Sequence, residues 1–175
     1  MADRSLWRHI DMSAESGVVP RALYGPLLRA AAARAGGQVQ MLNVRNVLRN
    51  ALSLAELLVV VRSNAASLMR LHAPHFNQYE APDGNFQVLL AAAPLLTELH
   101  TSVQRDNLPL VDAHRMLRCD PPFGPLRLHK LVLGMNADAT AADVVQLAEE
   151  AREHASLKEL TFCSAPLHTG SDGRG

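Results

Sequence analysis

His72 and His100 lie 28 residues apart, and Arg70 and Glu98, each two positions earlier, repeat the same interval. Two imidazoles held side by side could share a metal ion, exchange protons with a carboxylate, or form a pH-sensitive polar patch. A zinc site takes three or four ligands, and His75 is the one further imidazole in that stretch. A polar binding surface is the reading these residue types favour over a metal centre. Lys130 and Glu159 extend the series, so the charges at 70, 98, 130 and 159 alternate in sign.

Catalytic signatures are missing from the sequence. It has no G-x-S-x-G elbow and no H-E-x-x-H pair, and Gly36-Gly37 lacks the Lys-Ser/Thr that completes a phosphate loop. Cys119 and Cys163 have neither C-x-x-C nor metal-type spacing, so both read as reduced thiols, with Cys163 an accessible bystander. The expectation is a protein that is not an enzyme, with no catalytic residue, resident metal or cofactor.

What would position the charged series is a repeated element. Six stretches share the pattern apolar-x-x-Leu/Ile-x-apolar, kept loosely in two of them. They begin at Trp7, Val39, Leu68, Leu96, Leu128 and Leu157, and centre on Ile10, Leu42, Leu71, Leu99, Leu131 and Leu160. The centres are 32, 29, 28, 32 and 29 residues apart, a period that signals stacked supersecondary units rather than one closed core. If each stretch is a strand with its central residue buried, the flanking side chains face outward. The preceding row is then His9, Met41, Arg70, Glu98, Lys130 and Glu159. The following row is Asp11, Asn43, His72, His100, Val132 and Thr161.

Helical segments separate the strands. Leu23, Leu27, Leu28 and Ala31 fit one face of a helix over 20–34, which Gly36-Gly37 ends. Ser53 and Glu56 form a capping box before the run Leu57–Val61, although its three valines would also suit a strand. Further helices are expected over 86–93, ended by Pro94, and over 111–117, stopped by the proline-rich run 120–125. Thr140 caps the clearest one, with Val144, Leu147, Ala148 and Ala151 buried and Glu149, Glu150, Arg152 and Glu153 facing water. Strand, loop, helix, loop, repeated, makes an α/β chain with parallel strands joined by helices. The period then predicts a solenoid bent into an arc, about six strands on its concave face and helices on its convex face. A doubly wound α/β domain is the alternative, and would call for long apolar strands and usually a glycine-rich phosphate loop.

Bulk composition narrows the function classes. Of 175 residues, 48% are apolar, which supports a substantial core. Lys plus Arg equals Asp plus Glu at 17 each, and aromatics make up 4%, so neither a basic footprint nor a stacking platform for nucleic acid is expected. No apolar run approaches the roughly 18–20 residues of a membrane span, and the N-terminus lacks a secretory core. A cytoplasmic or nuclear protein without membrane or nucleic-acid partners is the expectation.

The motif is fullest as Leu128-x-x-Leu131-x-Leu133-x-x-Asn136, and it resembles the leucine-rich repeat family, in its long helical, ribonuclease-inhibitor-like subtype. The resemblance covers about residues 6 to 167. The chain departs from it at the asparagine position, where the other units carry Glu15, Val47, Phe76, Gln104 and Ala165, and in two 32-residue intervals that imply insertions, the second around Pro121–Pro125. A shorter stretch, Leu6-Trp7-Arg8-His9-Ile10-Asp11-Met12-Ser13, is similar to the junction where an F-box gives way to leucine-rich repeats. The resemblance implies a protein partner on the concave face, contacted by Asn43, Arg70, His72, Glu98, His100, Lys130, Val132, Glu159 and Thr161. It also implies a place in an SCF-type ubiquitin ligase adaptor, reaching the linker subunit through an F-box upstream of Met1. A free-standing repeat scaffold or sensor is the other reading. Residues 1–167 are expected to form the solenoid, as a fragment of a longer array, and 168–175 a disordered polar tail.

Overall fold

The computed structural model describes residues 4–12, 23–44, 52–73, 85–103, 108–135 and 139–164. A short 3-10 turn at Arg4–Trp7 leads into strand β1, His9–Asp11. There follow α1 (Tyr24–Ala35), β2 (Met41–Asn43), α2 (Leu54–Ser63), β3 (Arg70–His72), α3 (Asn85–Ala91) and β4 (Glu98–Val103). The chain continues with α4 (Leu110–Arg118), β5 (Lys130–Met135), α5 (Ala141–Glu153) and β6 (Glu159–Ser164). The strands form one open, all-parallel sheet in chain order, β1 to β6, neither curled nor closed. The alternation of strand and helix expected from the period is present from β1 to β6, with one helix between each consecutive pair of strands.

One hydrogen-bonding device fixes the strand register. The carbonyl two residues before each central apolar residue accepts both the equivalent N–H of the next unit and the one after it. Arg8 O receives Gln40 and Met41 at 2.7 and 3.1 Å, and Gln40 O receives Met69 and Arg70 at 2.9 and 3.0 Å. Met69 O, Thr97 O and His129 O repeat this with Thr97/Glu98, His129/Lys130 and Lys158/Glu159, all between 2.8 and 3.0 Å. Ile10, Leu42, Leu71, Leu99, Leu131 and Leu160 consequently lie in one row across the sheet.

The inward rows supply the core together with the inner faces of the helices. Val39, Leu68, Leu96 and Leu128 of the first motif position are buried, as are Leu42, Leu71, Leu99 and Leu131 of the central one. At the last position Val44, Ala73, Thr101 and Leu133 are buried. In the two outer units Trp7, Met12, Leu157, Leu160 and Phe162 are only partly buried against this core. Thr101 stands where an apolar residue is expected, with its hydroxyl 3.5 Å from Ala73 O. Gly134 lies beside Ser102 in the ladder, and a Cβ there would come 3.2 Å from that of Ser102, tight enough to force a local shift.

The capping signals read correctly. Ser53 Oγ accepts from Glu56 N at 3.2 Å while Ser53 N donates to Glu56 Oε2, and Thr140 and Asp143 repeat the arrangement on α5. Burial pushes the Glu56 carboxyl up, but the Ser53 bonds and the Arg29 ion pair outweigh it and hold the group below its ordinary range. The valine run folds as helix: Val60 and Val61 face the core and Val59 faces outward. Gly36, at φ 59°, ends α1 in the left-handed conformation that glycine adopts without penalty.

The buried stripe of α1 differs from the expected one. Tyr24, Gly25, Leu28, Ala32 and Ala35 face inward, while Leu23 and Leu27 are each 47% exposed. The sequence reading gave the two leucines more weight than the alanines, but close packing against α2 selects small side chains: a Cβ on Gly25 would run into the Glu56 carboxylate. Val144 and Ala148 of α5 are likewise only partly buried, leaving Leu147 and Ala151 at its inner centre. The asparagine-position residues Glu15, Val47, Phe76, Gln104, Asn136 and Ala165, together with His75 and the expected tail 168–175, lie outside the described residues.

Between units, polar side chains occupy the places where backbone groups would otherwise be buried without partners. Asn64 accepts Val39 N–H at 2.9 Å and donates to Val60 O at 2.8 Å. Ser67 and Ser156 hold the same place in their units, with hydroxyls 2.8 Å from Val39 O and 2.9 Å from Leu128 O. His154 is buried after α5, and the loss of water around its ring depresses its pKa below the ordinary histidine value.

Two stability effects are expected. Leu99→Ala at the fully buried centre should cost about 2–5 kcal/mol in urea unfolding, and Leu160→Ala, at a half-covered position, clearly less. The unfolded chain binds a proton at His154 more readily than the folded one, so this residue costs nothing above a pH of about 6.5 and removes stability as pH falls below it. His154→Gln should therefore lose less stability than wild type between neutral and mildly acidic pH, measured by parallel unfolding curves.

Candidate functional site

The two rows that flank the buried centres meet on the sheet face away from the core. The register places His9, Met41, Arg70, Glu98, Lys130 and Glu159 in one line, and Asp11, Asn43, His72, His100, Val132 and Thr161 in the next. Strand alternation explains this: with residue i committed to the core by a buried Leu or Ile, i−1 and i+1 point the other way. All nine residues expected on the binding face lie in these two rows. Asn43 is the exception in accessibility: it is 8% exposed, lying in its row between Asp11 and His72, and does not offer a free side chain to a partner.

Side chains on this face pair with one another. His72 Nε2 lies 3.1 Å from Glu98 Oε1, with the two side chains 18% and 23% exposed. The carboxylate only accepts, so the proton belongs on His72 Nε2. His100 meets His72 edge to face, ring centroids 5.3 Å apart at 77°. Arg70 reaches across the Met41 position, its Nη2 3.5 Å from His9 Nε2. Guanidinium is donor only, so in this arrangement His9 Nε2 is the acceptor. Lys130 Nζ sits 2.7 Å from Glu159 Oε1, and the hydrogen bond to that carboxylate raises the lysine pKa above its ordinary value.

The chemistry available is recognition through mixed donors and acceptors. His72, Glu98 and His100 cluster without forming a ligand set: among the described residues no group of three or more His, Cys, Asp and Glu could hold a metal ion. Cys163 is partly buried, with Sγ 3.8 Å from Leu133 O, so it is less accessible than its outward strand position suggests. A separate groove of about 390 Å³ lies between the loops that follow α3 and α4, lined by Leu90, Leu96, Phe123, Leu126 and Leu128 among others. None of the face residues lines it.

Sequence reasoning missed one polar cluster. Glu150, expected in water, bridges α4 and α5: Oε2 lies 2.6 Å from His114 Nδ1 and Oε1 3.3 Å from Arg118 Nη1. The His114 and Glu150 side chains are 12% and 11% exposed. The signal was present as His114 and Arg118 one turn apart on α4, facing a helix on which Glu150 adjoins Ala151 and stands three residues beyond Leu147. Seeing it required knowing that α4 and α5 are neighbours.

No protein-family model, curated protein or solved structure matches the chain. Among the described residues, no helix is long and apolar enough to cross a membrane.

The two kinds of ion pair should behave differently. Glu150→Ala takes the shared acceptor from the largely enclosed His114 and from Arg118 and should cost about 1–3 kcal/mol. Lys130→Ala on the exposed face should leave the unfolding midpoint nearly unchanged. Chemical denaturation of both variants checks this, and a large loss in Lys130→Ala would make the sheet-face pair structural.

Proposed function

We propose that this chain is a non-enzymatic protein-interaction module of the leucine-rich repeat kind, a solenoid that binds a protein partner on its exposed sheet face. The observation that carries the reading is the register. Six units, separated by 28 to 32 residues, bring their i−1 and i+1 positions into two rows that are polar or charged except at Met41 and Val132. Among the described residues, the parallel strands bury one face and leave most of the other accessible, which makes a surface and not a cleft. Such a surface suits an extended contact better than enclosure of a small substrate. Arg70, His72, Glu98, His100 and Lys130 would form its centre, with Val132, Glu159 and Thr161 towards the β6 edge.

Charge on this face alternates across the strands, so it would select a partner by pattern rather than by net attraction. A narrower form of the reading, substrate recognition within an SCF-type ubiquitin ligase adaptor, draws on Leu6-Trp7 and the residues after it. There Trp7 packs partly against the core under Arg34, 5.3 Å from ring centroid to guanidinium, and Leu6 is 75% exposed. The free-standing scaffold needs nothing beyond the face itself and is the broader statement.

The test is a comparative interaction screen by quantitative crosslinking. Wild type is set against an Arg70→Ala/His72→Ala/Glu98→Ala variant and against Val145→Ala on the exposed side of α5. Partners of this face should fall about tenfold or more with the triple variant and hold steady with the control. An unchanged partner set sinks the proposal. Loss of a ubiquitin-ligase linker subunit from an otherwise intact set would bear on the adaptor form alone.

A further inference from the structure

The interval between the centres Leu99 and Leu131 runs to 32 residues and carries the proline-rich run 120–125 ahead of β5. That stretch supplies one wall of the groove of about 390 Å³, facing the loop after α3. Phe123, Leu126 and Arg127 stand on this wall, and Leu90, Leu95 and Leu96 on the other. The wall is pinned at both ends. Phe123 N–H donates to Asp120 O at 2.9 Å, and the Ser156 hydroxyl lies 3.0 and 2.9 Å from Leu126 O and Leu128 O. In the second unit Ser67 holds Gly37 O and Val39 O in the same way, so Gly37 and Gln38 occupy the places of Leu126 and Arg127 there. Relative to that unit, the apolar wall and its cation are additions to the repeat, not consequences of its core.

The chemistry of the walls selects an occupant. Every side chain lining the groove is apolar except Arg127, yet much of its surface is polar, so main-chain groups share the walls. A hydrocarbon chain would strip water from those groups without replacing it. A peptide brings apolar side chains and main-chain donors and acceptors together. The volume falls within the roughly 300–1,000 Å³ of ligand pockets, which suits a short segment rather than a folded element.

Charge sets the sequence of that segment. Arg127 is exposed and, among the described residues, meets no carboxylate. Lys158 and His129, also exposed, likewise meet none there. The backbone sets them in line beside the groove: His129 N–H donates to Thr97 O, next after Leu96, and Lys158 N–H donates to His129 O. The acids of the flanking segments are engaged, Asp120 by Arg118, Glu98 by His72 and Glu159 by Lys130. An acidic group is the complement this end of the groove lacks.

We propose that the groove binds a linear peptide segment, with a large apolar side chain seated against Leu95, Phe123 and Leu126 and an acidic residue paired with Arg127. None of the sheet-face residues lines the groove, so the site stands apart from the proposed partner surface.

Panning a random peptide library on the full chain, followed by fluorescence-anisotropy titration of a retained peptide, tests it. Retained peptides should carry a large apolar residue close to Asp or Glu. Arg127→Glu and Leu95→Ser, both at exposed side chains, should each weaken binding about tenfold, and Thr161→Ala on the sheet face should not. Replacing the peptide's acid by Lys should restore binding to Arg127→Glu alone. A library that yields no acidic-apolar pattern overturns the proposal, as does a retained peptide indifferent to both groove variants. Sodium laurate that binds more tightly than any retained peptide, and is lost with Arg127→Glu, overturns it in favour of a lipid site.

Discussion

The rest of the structure depends on a shared carbonyl. At each of five junctions one main-chain oxygen holds two consecutive amides of the next strand, which fixes where that strand begins relative to its neighbour. A strand alternates sides with every residue, so a slip of one position would exchange its faces. Leu71 and Leu99 would then meet water, while His72 and Glu98 would enter the core. Burial of an imidazole and a carboxylate without water is far more costly than the loss of one ladder bond. Backbone register and side-chain burial therefore enforce each other.

Stability follows from that coupling and is unevenly distributed. No unit has a core of its own; Leu42, Leu71, Leu99 and Leu131 are buried because a strand lies on either side of each. Among the described residues β1 and β6 have one neighbouring strand each, and Trp7, Met12, Leu157, Leu160 and Phe162 are less enclosed. The polar contacts between units, Asn64 to Val39 and Ser156 to Leu128, matter because they satisfy backbone groups at the loops. There a buried amide or carbonyl without a partner would offset what the apolar rows contribute.

Much of this was legible in the sequence because the period and the caps are local or regular. The six centres, both capping boxes and the Gly36 stop need only spacing and residue type. The inner face of α1 was less legible, because Leu23 and Leu27 look more like core than Gly25 or Ala32 until the approach of α2 and Glu56 is known. Glu150 was misread for a related reason: on its own helix it lies among charges, and its partners His114 and Arg118 belong to another unit. Asn43 faces the predicted side, yet strand alternation gives direction without giving accessibility. Each of these misses concerns how neighbouring units fit together, which a motif read one unit at a time does not contain.

The same contrast separates enclosed from exposed charge. His114 and Glu150 are nearly enclosed between two helices, so water competes little for the hydrogen bond between them and neither can exchange its partner without opening the helix layer. On the sheet face, Lys130 and Glu159 are 38% and 53% exposed, and water and salt already weaken their attraction. An incoming group of the right sign can replace either partner at little cost. The pairs that contribute least to folding are thus the ones best placed to be given up in a complex, and the register sets them in a line across the sheet. In the proposed complex such a surface would discriminate by the order of its charges, because a partner with the wrong sign at one strand would meet repulsion there while its other contacts were held in place.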